Sequence, residues 1–214
     1  MSCPNPRAPG ARERLVAAAR TLFAEKGFDG TGTREIAASA GCNLSLIKYY
    51  FGSKEGLLRA VLEENATNVG LGMAAVVEAG GTAEDQLRRL VDWVVDFLAA
   101  NPDVYRIMVR EVLIPGKPIG GEVVLPKVLA NQAIGAAILE GARAEGRLRE
   151  GVDPRFVAVL SMGLLLFYFV AQPITSRVLG PCTPELLAEL KRQAAGVLVN
   201  GLLRPAGERL EGSR

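Results

Sequence analysis

The chain has 214 residues, 49% of them hydrophobic and 22% charged, and 25 Lys+Arg against 23 Asp+Glu leave a net charge of only +2. That composition excludes the disorder of apolar-poor, highly charged chains, and the charge excludes a uniformly basic nucleic-acid coat. Histidine is absent, so no Ser-His-Asp or Cys-His triad and no imidazole-dependent zinc site exists. The three cysteines (Cys3, Cys42, Cys182) are odd in number and far apart, which argues against a disulfide framework and for a reducing, cytoplasmic setting.

Residues 1–11 lack the apolar stretch of a signal peptide and read as a flexible arm. Beyond them the pattern is helical, with breaks at glycine and proline and almost no strand alternation. Helices are predicted over residues 12–26, 33–40 and 44–51. A fourth starts at the cap Ser53 and continues towards Val77, and a fifth covers 83–100. After Asn101-Pro102 a short helix runs to Ile114, and residues 115–121 read as a loop. Helix seven covers 122–145, an apolar eighth starts at Pro154, and a ninth covers 185–203 before a frayed tail at 205–214. The expectation is an all-α chain of about nine helices with a head at 12–56 and a larger body at 57–204.

Residues 156–171 contain 16 uncharged positions in a row. A spanning helix needs about 20 apolar residues, and nothing else in the chain reads as a second span, so burial in a core or oligomer interface is preferred and no membrane is expected.

The charge is uneven. Residues 1–60 hold nine Lys/Arg against five Asp/Glu. A basic head on a slightly acidic body suits nucleic-acid binding, although a solvated helical face accounts for the excess equally well. Inside that head, Ala37 is small where two short helices must cross, Gly41 can take the positive φ of a tight turn, and Ile47 closes a small core with Ile36. Asn43 can cap the next helix. That helix buries little, and Leu44, Ser45, Lys48, Tyr49 and Tyr50 are predicted to face outward, with a length that fits a B-DNA major groove. Lys48 can bond guanine edges or phosphate, Ser45 can donate or accept, Leu44 or Leu46 can touch a thymine methyl, and the tyrosines can reach phosphates. The alternative is that Tyr49 and Tyr50 pack against the first helix.

The strings Phe23-Ala24-Glu25-Lys26-Gly27-Phe28, Thr33-Arg34-Glu35-Ile36-Ala37 with Gly41, and Tyr49-Tyr50-Phe51-Gly52-Ser53-Lys54-Glu55-Gly56-Leu57-Leu58 resemble the TetR family of bacterial transcriptional regulators over residues 12–62. The resemblance implies a helix-turn-helix head, an all-α second domain, and a homodimer on a palindromic double-stranded DNA operator, usually a repressor released by a small ligand. Residue by residue it implies phosphate contact by Thr33 and Lys54, a base or backbone contact by Arg34, base-facing positions at Leu44, Ser45, Leu46 and Lys48, and backbone or base contacts by Tyr49 and Tyr50. The chain departs from the family at Lys48, where many members carry an aromatic residue, and at Cys42, where a small aliphatic is usual.

The resemblance also places an effector pocket between helices four and seven, with Trp93, Phe97, Tyr105, Arg106, Met108 and Arg110 as candidate walls, each of which could equally be core. Such a pocket suits an apolar or aromatic effector, anionic if Arg106 or Arg110 faces inward. Helix eight carries more apolar surface than one bundle can cover. With helix nine it is expected to build a dimer interface through Leu160, Leu164, Phe167, Leu190, Val197 and Leu198. Cys42 is either a buried small hydrophobe or an oxidation sensor, the first preferred. Gly70-Leu71-Gly72 reads as a helix irregularity, and Asp92 with Asp96 as a solvated face. No cofactor, metal or enzymatic activity is expected. The other function class left open is a helical bundle that binds a ligand or partner and does not recognise DNA.

Overall fold

The computed structural model describes residues 10–114, 116 and 118–205, so most of the expected arm and tail lie outside the described residues. Ala11, counted with the arm, is already the fully buried first residue of a helix. The chain folds into α1 (Ala11–Lys26), α2 (Thr33–Ser39), α3 (Ser45–Phe51), α4 (Lys54–Glu78), α5 (Ala83–Ala100), α6 (Pro102–Ile107) with a π-helical continuation Met108–Leu113, α7 (Pro118–Ala144), α8 (Pro154–Val170), α9 (Gln172–Leu179) and α10 (Pro184–Leu202). Among the described residues the only extended pairing is one antiparallel bridge, Leu148 with Leu203.

Among the described residues ten α-helices stand against about nine expected. The difference arises at Ala171, where the apolar run breaks and Pro173 opens the first turn of α9, an 83° bend away from α8. The loop expected at 115–121 is shorter, because Pro118 starts α7. Gly120 then lies so close to the Glu111 carbonyl that a Cβ would stand 2.0 Å from its oxygen. A correction also applies to the membrane argument: Ile119–Ala144 is long and apolar enough to cross a membrane by length and composition, so 156–171 was not the sole candidate.

The chain divides into two compact units. The first comprises Met1–Asn68 with Pro102–Val128, the second Val69–Asn101 with Leu129–Arg214. The expected boundary at 56/57 therefore falls inside the first unit, because the head's core does not close with three helices. Leu15, Phe23, Ile36, Ile47, Leu57 and Val61 share one cluster with Ile107 and Val124. In the second unit, Leu87 of α5, Ile138, Leu139 and Ala142 of α7, and Val199 and Leu202 of α10 form the core.

Gly72, read as a helix irregularity, sits within an uninterrupted α4, and the Trp93 indole fills the space its missing side chain leaves: a Cβ there would lie 1.9 Å from Trp93 Cζ2.

Candidate nucleic-acid interface

The head is built from short helices joined by a tight turn. Ile36 and Ala37 of α2 and Leu46 and Ile47 of α3 are buried in one shared core. Between them Gly41 adopts φ +61, a left-handed conformation costly for any residue with a Cβ, while Cys42 N–H donates to the Ala37 carbonyl at 2.9 Å. The Asn43 side chain starts α3, its Oδ1 accepting from Ser45 N–H at 2.9 Å and from the Ser45 hydroxyl at 2.8 Å. Gly52, at φ +75, ends the helix and returns its N–H to the Lys48 carbonyl.

Helical spacing then sorts the side chains of α3. Positions 45, 48 and 49 are neighbours on one face and 46, 47 and 50 on the other. Leu44, Ser45, Lys48 and Tyr49 are exposed, Tyr49 at 65%. Tyr50 is half-buried against the core and meets Tyr49 edge-on, ring centroids 4.9 Å apart. Leu46 is a correction: expected to touch bases, it is 3% exposed because it shares the inward face with Ile47 and Tyr50.

The cations of the head are unequal. Lys26 pairs with Glu35, whose hydrogen bond and charge raise the lysine pKa, Arg20 pairs with Glu64, and Arg59 donates to Glu122 at 2.6 Å. Arg12 lies 5.5 Å from the Phe51 ring centre, and Arg14 reaches the Ala40 carbonyl and, at 3.6 Å, Cys42 Sγ. Arg34 and Lys48 are exposed and make no ion pair among the described residues. Thr33, first residue of α2, is half-buried. Cys42 packs against the head core, as a small hydrophobe does.

Lys54, expected at a phosphate, is half-buried. Its ammonium donates to the carbonyls of Phe28 at 2.9 Å and Thr31 at 3.0 Å and stands 4.1 Å from the Phe28 ring centre. Two of its three N–H groups are thus committed to the loop between α1 and α2, where phosphate contact had been expected. That loop is held further by residues that sequence reasoning missed. Buried Thr31 donates through its hydroxyl to Gly27 O at 2.7 Å, and Glu111, 3% exposed in the π-helical turn, accepts from Phe28 N–H at 2.9 Å. The string Gly27-Phe28 hinted at a turn, but nothing in the sequence connects it to a glutamate 83 positions away.

Residues 15–61 match the family model for bacterial regulatory proteins of the tetR family, and residues 84–197 match the tetracyclin repressor-like C-terminal domain. The chain belongs to the TetR family. Among curated proteins, the transcriptional regulatory protein RaaS of Mycobacterium tuberculosis is 31% identical over 74% of this chain and 71% of its own length. The transcriptional repressor NicS of Pseudomonas putida is 29% identical over 73% and 74%. Among solved structures, the fatty acid degradation regulator FadR of Bacillus halodurans superposes with a TM-score of 0.77 at 19% identity over 91% of this chain and 97% of that one. FadR of Bacillus subtilis in complex with stearoyl-CoA gives 0.75 at 20% identity over 88% and 98%. This TetR-family chain is thus a helix-turn-helix transcriptional regulator, and its relatives are regulators, not enzymes.

The residues expected to wall an effector pocket fall in both compact units. In the second, Trp93 and Phe97 are half-buried and stacked, centroids 5.0 Å apart. In the first, Tyr105 is buried and Met108 half-buried. Arg106 and Arg110 are exposed, so the inward cation that would favour an anionic effector is not found. A cavity of about 230 Å³ opens instead beside Arg143, Arg149, Glu150 and Arg204 and touches none of the six.

The dimer candidates separate cleanly. Leu160 and Phe167 of α8 are 67% and 63% exposed, and Val197 of α10 and Leu164 are exposed too. Leu190 and Leu198 are half-buried, and Leu198 also packs against its own unit's core.

Proposed function

We propose that this TetR-family chain is a cytoplasmic homodimeric repressor that holds a palindromic double-stranded DNA operator and releases it on binding a small apolar effector, without cofactor or membrane. The observation that carries the reading is the outward row Leu44, Ser45, Lys48 and Tyr49, with Arg34 on α2, over a head core that is otherwise closed. A bundle that no longer read DNA would have no use for two cations that are unpaired among the described residues beside an exposed tyrosine. Lys48 supplies donors to guanine O6 and N7, Leu44 an apolar contact for a thymine methyl, and Tyr49, Arg34 and Thr33 hydroxyl or guanidinium donors for phosphate.

Dimerisation is supported by α8, where Phe156, Leu160 and Phe167 recur on one stripe with Gly163 between them, all facing solvent in the single chain. Covering each such side chain is worth about 1.5–3 kcal/mol. A two-fold axis makes the preferred site a palindrome, with half-sites about 34–36 Å apart. An apolar effector is supported by the Trp93–Phe97 stack.

Selection from a random DNA pool tests the reading: an enriched palindrome is expected. Phe167→Glu with Leu160→Glu is expected to sediment as monomer and lose that site. No enrichment over background returns the chain to the ligand-binding bundle, and a dimer mass unchanged by the charges removes α8 from the interface.

A further inference from the structure

The Asn43 amide has a fixed orientation. The atom that meets Ser45 N–H at 2.9 Å must be its oxygen, because an amide nitrogen cannot accept. The Ser45 hydroxyl lies 2.8 Å from that same oxygen. A hydroxyl has one proton, so the contact consumes it, and Ser45 Oγ keeps only lone pairs for anything that approaches from solvent. Ser45 is exposed on the face that carries Lys48 one turn on, and Lys48 has only donors to offer.

We propose that Asn43 is a positioning residue for sequence readout: by holding the Ser45 proton it makes that hydroxyl a pure acceptor, so Ser45 selects a base presenting an amino group to the major groove. This rests on the DNA-reading role proposed above. On the strand Ser45 touches, cytosine N4 and adenine N6 satisfy it, whereas guanine O6 and thymine O4 oppose lone pair to lone pair. The neighbouring Lys48 has the opposite preference, for guanine or thymine oxygens. Together they read an amino-bearing base beside a carbonyl-bearing one, a polarity that the unbonded serine hydroxyl, free to donate or accept, would not impose.

The test uses the full-length protein and its selected operator, varied through all four bases at the position next to the one whose preference Lys48→Ala alters. Wild type is expected to bind the amino-bearing base about two- to tenfold tighter than the carbonyl-bearing one, the worth of one neutral hydrogen bond. Replacing that base by its analogue without the amino group should cost the same factor. Asn43→Asp still accepts both bonds and should keep the preference. Asn43→Ala frees the proton, so the preference should shrink to within about twofold while the other operator positions stay selected. A merely structural role for Asn43 would weaken binding to all four bases alike, and that result overturns the proposal. If Asn43→Ala does not fold, Ser45→Ala decides, since it leaves the amide in place: retention of the base preference overturns the proposal. An operator whose selection is indifferent to both residues refutes this inference alone, whereas failure of wild type to select any sequence refutes the DNA-reading role itself.

Discussion

Lys54→Met removes the ammonium while keeping an apolar stem against Phe28. Two hydrogen bonds from a charged donor, to Phe28 O and Thr31 O, and one cation–ring contact at 4.1 Å disappear together. Charged hydrogen bonds contribute about 1.5–3 kcal/mol each and a cation–π contact about 0.5–2 kcal/mol. The low ends of these ranges total about 3.5 kcal/mol, and because the side chain is only half-buried water recovers part of it, so a loss of about 2 kcal/mol is expected. For a chain of this size that lowers the melting midpoint by about 4–8 °C. Thermal unfolding followed by circular dichroism reads it directly. The second measurement is the salt dependence of operator binding at a temperature where both proteins are folded. A lysine engaged with phosphate lowers the slope of log K against log salt by about one when removed; Lys54→Met should leave the slope unchanged, whereas Lys48→Ala should alter base preference or slope with stability within about 0.5 kcal/mol of wild type. A Lys54→Met protein that melts at the wild-type temperature and loses one unit of slope would refute the structural assignment and restore the phosphate contact.

Two further outcomes are expected. Gly72→Ala drives a Cβ into the indole of Trp93, the chain's one tryptophan, and should cost about 1–3 kcal/mol with a shift in emission wavelength; unchanged fluorescence and melting would show that α4 and α5 do not meet there. As pH falls, the carboxylates of Asp85 (bonded by Thr82), Asp153 (bonded by Arg155) and Glu185 (bonded by its own and Thr183 donors) sit below their ordinary values, and Arg192 pulls Glu189 down to about 2. Groups depressed on folding stabilise above their unfolded pKa and lose that contribution as pH drops through the folded one. With no histidine to titrate, the melting temperature should stay level from about pH 8 to pH 5.5 and decline below about pH 4, and a step between pH 5.5 and 7.5 would contradict this.

The helix-turn-helix was legible because its constraints are local. Ala37, Gly41, Asn43 and Ile47 act on residues within a few positions of themselves, and the structure gives them a buried position, φ +61, a bond to the first turn of α3 and a core contact. Leu46 was misplaced because a seven-residue helix has no periodicity to speak of, and one step in register moves a leucine from surface to core. The loop-bracing part played by Lys54 went unread because its partners are backbone carbonyls more than twenty positions earlier, which no sequence pattern records. The same blindness hid Glu111 and the share of α6 and α7 in the head's core. The effector residues were least legible, since Trp93 and Phe97 look alike whether they line a pocket or fill a notch over a glycine.

The charge count of the head makes the general point sharper. Nine cations against five acids suggested a basic surface, yet the fold spends most of what the described residues hold. Glu35, Glu64 and Glu122 neutralise Lys26, Arg20 and Arg59, carbonyls occupy Lys54, and Arg14 braces the turn. What remains, exposed and without an ion pair among the described residues, is Arg34 on α2, Lys48 on the outward face of α3, and Arg12 beside the Phe51 ring. A protein built this way gains little from diffuse attraction to any polyanion, because each internal ion pair subtracts a counterion that DNA binding would otherwise release. Its affinity must come instead from the few groups left facing out, and those groups have fixed hydrogen-bonding polarity. Pairing away the surplus charge is therefore part of how such a head raises the ratio of specific to non-specific binding, and it explains why the net charge of the chain was a poor guide to its partner.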